Sequence, residues 1–286
     1  ASLVEAAEIF GEPGWLDLAR GAAEAVWSVH WVEGALRRTS RDGQVSEVGG
    51  FAEDYGALAS GLAHLAGALG DAVWLRRAEL LLDAALGLFA AEDGGFYDAA
   101  AGELYERPRE IADNPTPSGT SALIEALRLV GLMAERPDLI AAADRAAATT
   151  WGAVERNPRF AASALADLLI ADEERRGLRP AVAVVVDEAS APITPATRAV
   201  WRMAPAGTAV LRGRPGQEGF GEWFTGRGVR EPGEYPLPKP LGAEADEYEE
   251  HEDVATGGTV YVCRGEACFA PASSVKEIRA ALWQRV

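Results

Sequence analysis

The sequence predicts a mainly α-helical fold, an incomplete α/α toroid built from stacked antiparallel helix pairs, followed by a small α/β element. Two observations carry that prediction. A short motif recurs at Gly11-Glu-Pro-Gly-Trp15-Leu16, at Gly70-Asp-Ala-Val-Trp74-Leu75 and, more faintly, at Glu135-Arg-Pro-Asp-Leu139-Ile140, about 60 to 65 residues apart, a period suited to a helix pair with its connection. Beyond Arg179 the apolar spacing then shortens from the helical period to the continuous run Val182-Ala-Val-Val-Val186, which reads as a buried strand.

Each copy of the motif opens a helix, at about 14–31, 72–91 and 138–155; these form an outer layer, and a short helix at 2–10 precedes them. Inner helices are expected at about 51–69, 117–134 and 159–176. The first carries Phe51, Tyr55, Leu58, Leu62, Leu65 and Leu69 in one continuous apolar stripe. Its opposite face is small rather than charged, with Gly56, Ser60, Ala63 and Gly67, so neighbouring backbones approach closely there or leave volume open at a ring centre. Segments 34–43 and 94–105 place Asp-Gly or Gly between short alternating runs, the mark of hairpins. Seven helices fall short of the twelve that a closed ring of six hairpins requires; the rest is expected from a further segment or a partner.

The expected division is a partial toroid over 1–178 and a small α/β region over 179–286. Within the latter, a helix at 194–204 starts with Pro at a first-turn position, strands follow at 207–212 and 259–263, and a helix capped by Ser273 or Ser274 closes the region. A long acidic loop is expected at about 213–257, with seven carboxylates in the twelve positions 242–253.

The chain has 286 residues, 48% of them hydrophobic, enough to bury a sizeable core. Its net charge of -17 argues against nucleic acid and anionic membrane as partners, because polyanions repel an acidic surface. No signal-type start and no long apolar run occur, which predicts a cytoplasmic protein. The first residue, Ala1, is not Met and sits within a helical pattern, so the chain is expected to be a piece of something longer. Cys263 and Cys268 are spaced more widely than a redox-active Cys-x-x-Cys and read as structural thiols in a reducing compartment.

Three segments resemble the YyaL-type thioredoxin-domain proteins: Gly50-Phe51-Ala52-Glu53-Asp54-Tyr55-Gly56, Arg107-Pro108-Arg109-Glu110 with Asp113-Asn114-Pro115-Thr116-Pro117-Ser118-Gly119-Thr120-Ser121, and Tyr261-Val-Cys263 through Cys268-Phe269-Ala-Pro271. The resemblance implies an α/α toroid similar to that of the six-hairpin glycosidases and sugar 2-epimerases. It also implies a neighbouring thioredoxin-like domain, of which this sequence contains none. The paired histidines of the epimerases have no counterpart here.

Glu53 and Asp54 open one inner helix, and Asp113, Asn114, Ser118 and Ser121 open the next, so a ring would gather them at one mouth. Paired carboxylates there divide acid and base roles if burial raises the pKa of one of them. Glu53, Asp54 and Asp113 are therefore the candidate catalytic residues, each also able to serve a first turn. Arg107, Asn114, Ser118, Ser121 and His64 are candidate substrate ligands, with Arg107 either neutralising a bound anion or pairing with Glu106 or Glu110. His30, beside Trp27 and Trp31, reads as packing. None of His30, His64 and His251 has metal-ligand spacing, so neither metal nor cofactor is expected. Two functions follow: a carbohydrate-active or carbohydrate-binding toroid taking a sugar or sugar acid, supported by Trp15, Phe96 and Tyr97; or a non-catalytic scaffold docking a thioredoxin-like domain or the missing part of the ring.

Overall fold

The protein is mainly helical with a small sheet. A computed structural model describes residues 1–102, 105–187, 191–214, 217, 255–264, 267–268 and 270–283. The first part runs α1 (Ser2–Phe10), α2 (Pro13–His30), α3 (Ala52–Leu69), α4 (Ala72–Phe89), α5 (Gly119–Met133), α6 (Pro137–Arg156) and α7 (Ala162–Arg175). The second part runs β5 (Val182–Asp187), α8 (Pro195–Met203), β6 (Ala209–Gly213), β7 (Ala255–Arg264), β8 (Ala267–Cys268), β9 (Ala272–Ser274) and α9 (Val275–Trp283). Between α2 and α3 lie two minimal hairpins, β1 (Trp31–Val32) with β2 (Ala35–Leu36) and β3 (Ser40–Arg41) with β4 (Gln44–Val45). Both turn through consecutive positive-φ residues, Glu33-Gly34 and Asp42-Gly43, the left-handed pair that a two-residue hairpin loop requires.

The helix boundaries have local causes. Gly11 and Gly70 end α1 and α3 in the left-handed conformation. Asp71 starts α4 by accepting from the Val73 amide at 2.9 Å, and Ser118 starts α5 by accepting from the Ser121 amide at 3.2 Å. The apolar stripe of α3 is buried, and Tyr55, fully enclosed, uses its hydroxyl to accept from the Leu36 amide at 2.8 Å. That bond pins the first hairpin onto the helix.

The small face of α3 is filled, not open. A Cβ at Gly56 would lie 2.5 Å from the Ala122 carbonyl carbon, so α3 and α5 run side by side at near backbone contact. A Cβ at Gly67 would lie 2.1 Å from the Val210 carbonyl oxygen, so the C-terminal end of α3 is pressed onto β6.

The sheet has the order β6-β5-β7-β8, with β9 also on β7. Parallel β5 and β6 are joined through α8, the crossover that parallel pairing demands, and β7 runs antiparallel to β5. Alternation along β5 sorts the core: Val182, Val184 and Val186 face the helical core, while Ala183 and Val185 pack with Ala196 and Val200 of α8 and Ile278 and Leu282 of α9.

One expectation is corrected outright. Cys263 and Cys268, read as separate thiols, occupy opposed positions of β7 and β8 and are joined in a disulfide, so they carry no argument for a reducing compartment. The acidic stretch 242–253 with His251, and Phe269, lie outside the described residues; the strands flanking the expected acidic loop reach Gly213 and begin at Ala255. No described helix is long and apolar enough to cross a membrane.

The contact at Gly67 yields a direct expectation. Gly67→Ala should destabilise the protein by about 1–3 kcal/mol, because the added carbon overpacks a backbone contact that has no flexible atom to yield. Gly21→Ala on α2, with nothing within 4 Å of its Cβ position, should be neutral or stabilising. Chemical denaturation of both variants checks the contrast, and equal effects would contradict it.

Candidate functional site

The N-terminal ends of α3 and α5 meet. The Cβ position of Gly119 lies 3.1 Å from Ala52 Cβ and 3.3 Å from the Glu53 amide. At this junction a small pocket of about 240 Å3 is lined by Phe51, Glu53, Asp98, Glu110, Asn114 and Ser118, among others. Glu53 and Ser118 therefore share one opening.

The carboxylates in and beside that opening are largely committed to the fold. Glu53 accepts from Arg38 Nη2 at 2.7 Å. Asp54 pairs with the same guanidinium at 3.2 Å and closes the first turn of α3 by accepting from the Phe51 amide at 2.8 Å. Asp113 accepts from the Ser118 amide at 3.2 Å and the Ser163 amide at 2.8 Å, tying the start of α5 to the start of α7. Asp98 accepts from the Glu110 amide at 2.8 Å; burial holds its carboxyl above the usual range, and the Glu110 and Glu53 charges add to that.

Arg107 stands apart from this opening. It donates from Nε to the Ala99 carbonyl at 2.9 Å and from Nη2 to the Leu88 carbonyl at 2.7 Å, and its guanidinium lies 4.0 Å over the Tyr97 ring. Its role here is to fasten the segment after α4, through backbone carbonyls rather than the acidic neighbours Glu106 and Glu110. Of the aromatic residues offered as sugar platforms, Tyr97 is occupied by Arg107, Phe96 is buried in the core, and Trp15 lies against Phe10. His30 donates from Nδ1 to the Arg37 carbonyl at 2.8 Å, beside the stacked Trp27 and Trp31 rings.

His64 and Ser121 belong to a different and larger cavity. Eleven residues of α3 separate Glu53 from His64, a rise of about 16 Å at 1.5 Å per residue. The second cavity, about 480 Å3, is enclosed by α1, the inner helices α3, α5 and α7, and the α8–β6 segment. Its polar lining includes Glu5, His64, Ser121, Glu125, Arg128 and Asp167, and Trp201 adds an aromatic wall.

Each polar group is held by a definable contact. His64 donates from Nδ1 to the Ser60 carbonyl at 2.8 Å, since a carbonyl only accepts; its Nε2 is left facing Glu5 at 3.6 Å, and its ring lies 5.7 Å from Trp201. Glu125 accepts from Ser60 Oγ at 3.1 Å. Arg128 is paired on both sides, with Asp144 and with Glu174 at 2.8 Å. Burial pushes the Asp167 carboxyl up to about 8, helped by the Glu125 charge and opposed by Arg128. Several buried polar atoms lack a close hydrogen-bond partner among the described residues, on Glu8 and Arg179 among others; three of them are Asp167 Oδ2, Ser121 Oγ and Arg128 Nε, and the Ser121 hydroxyl lies beside Asp167. All three residues line this one cavity.

Chemically, a neutral Asp167 can donate a proton or a hydrogen bond near neutral pH, while the Glu125 carboxylate and His64 Nε2 can accept one. Sequence reasoning passed over Asp167, Glu125, Arg128 and Trp201. A signal for two of them existed: Glu125 and Arg128 are the charged residues of a helix otherwise composed of apolar and small side chains, and charge inside a buried helix is costly unless used. Asp167 had no such signal, because its helix ends in the run Asp-Glu-Glu-Arg and reads as solvated.

Among the described residues no group of three or more His, Cys, Asp or Glu is arranged to hold a metal ion. No known protein family matches the chain, and no curated protein matches it.

The raised pKa of Asp167 has a sign that experiment can read. In the unfolded chain this carboxyl titrates near its ordinary value of about 4, and in the fold at about 8. Between those values the folded state keeps a proton that the unfolded state has lost, so stability falls as pH rises through that window and levels off above it. Asp167→Asn should remove this loss. Its unfolding free energy relative to wild type should climb from pH 4 to pH 8 and stay flat above; the buried Glu8, also raised, to about 7, cancels in the difference. A pH-independent difference in denaturant titrations would contradict the assignment.

Proposed function

We propose that the cavity among α1, α3, α5, α7 and α8 binds a carbohydrate, and that the helix pairs form part of an α/α toroid of the type the YyaL resemblance implies. The observation that carries this reading is the convergence of three buried polar side chains, Asp167, Ser121 and Arg128, on one cavity, where Asp167 Oδ2, Ser121 Oγ and Arg128 Nε have no close partner beyond the contact of Ser121 with Asp167. A buried polar group without a partner is costly, and a polyhydroxylated ligand satisfies donors and acceptors at once. Trp201 offers an apolar ring for the C–H face of a sugar. The cavity volume, about 480 Å3, suits a mono- or disaccharide.

The lining favours a neutral sugar over a sugar acid. Arg128 is already neutralised by Asp144 and Glu174, so the carboxylates Glu5 and Glu125 leave the cavity without spare positive charge. If the pocket is catalytic, Asp167 is the proton donor and Glu125 the acceptor, an arrangement suited to acid–base chemistry at a hydroxyl or glycosidic oxygen.

A panel of neutral sugars should contain members that raise the melting temperature. Glu125→Gln and Asp167→Ala should each weaken the best of them by about tenfold or more, corresponding to one lost buried hydrogen bond. Glu53→Gln, in the other pocket, should leave that binding unchanged. Silence across the panel, or equal loss in all three variants, would refute the reading.

A second reading, a docking scaffold, is favoured by α2. Of its eighteen residues Leu16 alone is buried, while Trp15, Leu18 and Val26 are exposed, an apolar face suited to cover by a thioredoxin-like domain or a further part of the ring. On that reading the isolated chain binds apolar dyes and self-associates, and Leu18→Glu with Val26→Glu relieves both; a monomer that binds no dye would count against it.

A further inference from the structure

We propose that a third pocket, between α8, α9 and the turn joining α1 to α2, binds the phosphate group of a small phosphorylated molecule. The pocket measures about 650 Å3, and its lining among the described residues includes Arg198, Arg202 and Arg279 but no Asp or Glu. In a chain with 44 acidic and 27 basic side chains that local composition is inverted. Elsewhere the arginines mostly stand against carboxylates, as Arg38, Arg77, Arg109, Arg128, Arg136 and Arg212 do.

Arg198 and Arg202 lie one turn apart on one face of α8, the spacing that sets two side chains side by side, and Arg279 approaches from α9. Neither Arg198 nor Arg202 forms a salt bridge among the described residues, although the buried Glu8 carboxylate lies close enough to Arg198 for the two charges to interact. The Nε of Arg198 is buried and has no hydrogen-bond partner there, and Arg202 is exposed. Two such guanidiniums side by side repel one another unless an anion sits between them.

The chemistry selects a phosphate ester. Guanidinium forks match tetrahedral oxyanions through paired N–H donors, and a doubly charged group answers several arginines better than a single carboxylate does. Ile193, Met203 and Val275 give the pocket apolar walls, and its volume exceeds that of a bare phosphate, leaving space for an organic substituent. A polyanion is disfavoured by the net charge of -17. Trp201, on the same helix, lines the carbohydrate cavity instead, so α8 stands between the two pockets and this site does not depend on the carbohydrate reading.

Isothermal titration of the full chain with inorganic phosphate and with glucose 6-phosphate, glucose serving as the uncharged control, tests the proposal. Both phosphates should bind saturably and weaken as sodium chloride is raised. Arg202→Gln should weaken binding, and Arg198→Gln with Arg202→Gln should weaken it by at least about tenfold, whereas Arg20→Gln, on the exposed face of α2, should not. The single exposed-site variant Arg202→Gln keeps the test valid should the double variant fold poorly. Lack of saturable phosphate binding, equal loss in Arg20→Gln, or glucose 6-phosphate binding that survives both pocket variants and is displaced by glucose would each overturn it.

Discussion

The seating of β6 on the C-terminal end of α3 is the contact on which the rest of the structure depends. Arg212 of β6 is buried, paired with the fully buried Asp187 of β5, and donates to the Ala68 carbonyl of α3 at 3.1 Å and the Ala191 carbonyl at 2.5 Å. Asp187 in turn accepts from Thr194 Oγ1 at 2.7 Å, and Thr194 caps α8 through the Thr197 amide. One guanidinium thus joins two strands, the last turn of an inner helix and the segment leading into α8. Breaking such a buried pair by removing one partner costs about 3–5 kcal/mol, because the other charge is left uncompensated. Gly67 is what lets the strand come close enough for these bonds to form.

That seating also builds the cavity lined by Asp167 and Trp201. With β6 against α3, the turn after α8 and Val210 close one side of a space whose other walls are α1, α5 and α7. The close approach of α5 to α3 at Gly56 then sets Ser60 within reach of Glu125. The polar groups inside are therefore positioned by backbone packing at two glycines. The pocket at the helix N-termini has a different character, since Glu53 in its lining and the neighbouring Asp54 and Asp113 are spent on Arg38, on a helix cap and on the latch to Ser163.

Much of this architecture was legible in the sequence, because the signals were local. The repeat at Trp15 and Trp74, the apolar stripe of α3 and the Pro at the start of α8 each act within a few residues of where they stand. The meeting of Glu53 with Ser118 followed from two inner helices running in the same direction. What lay beyond local signals was which small residues enclose space and which fill it. Gly56 and Gly67 read equally well as a ring centre, and only the positions of Ala122 and Val210 decide for contact. Asp167 was hidden for the same reason: its raised pKa comes from burial in the folded chain and from the charge of Glu125, distant in sequence. The pairing of Cys263 with Cys268 likewise depends on the β7–β8 register rather than on spacing.

The proposed sugar site requires the cavity lined by Asp167, Ser121 and Arg128 to be a built polar site rather than a packing gap. High-resolution crystallography of the protein soaked with a neutral sugar distinguishes these most directly. The account predicts ordered sugar density within hydrogen-bond distance of Asp167 Oδ2, Ser121 Oγ and Arg128 Nε, with a ring face against Trp201. A cavity closed by side-chain rotation, with Asp167 Oδ2 and Arg128 Nε both bonded to neighbouring protein groups and no sugar density, would contradict it.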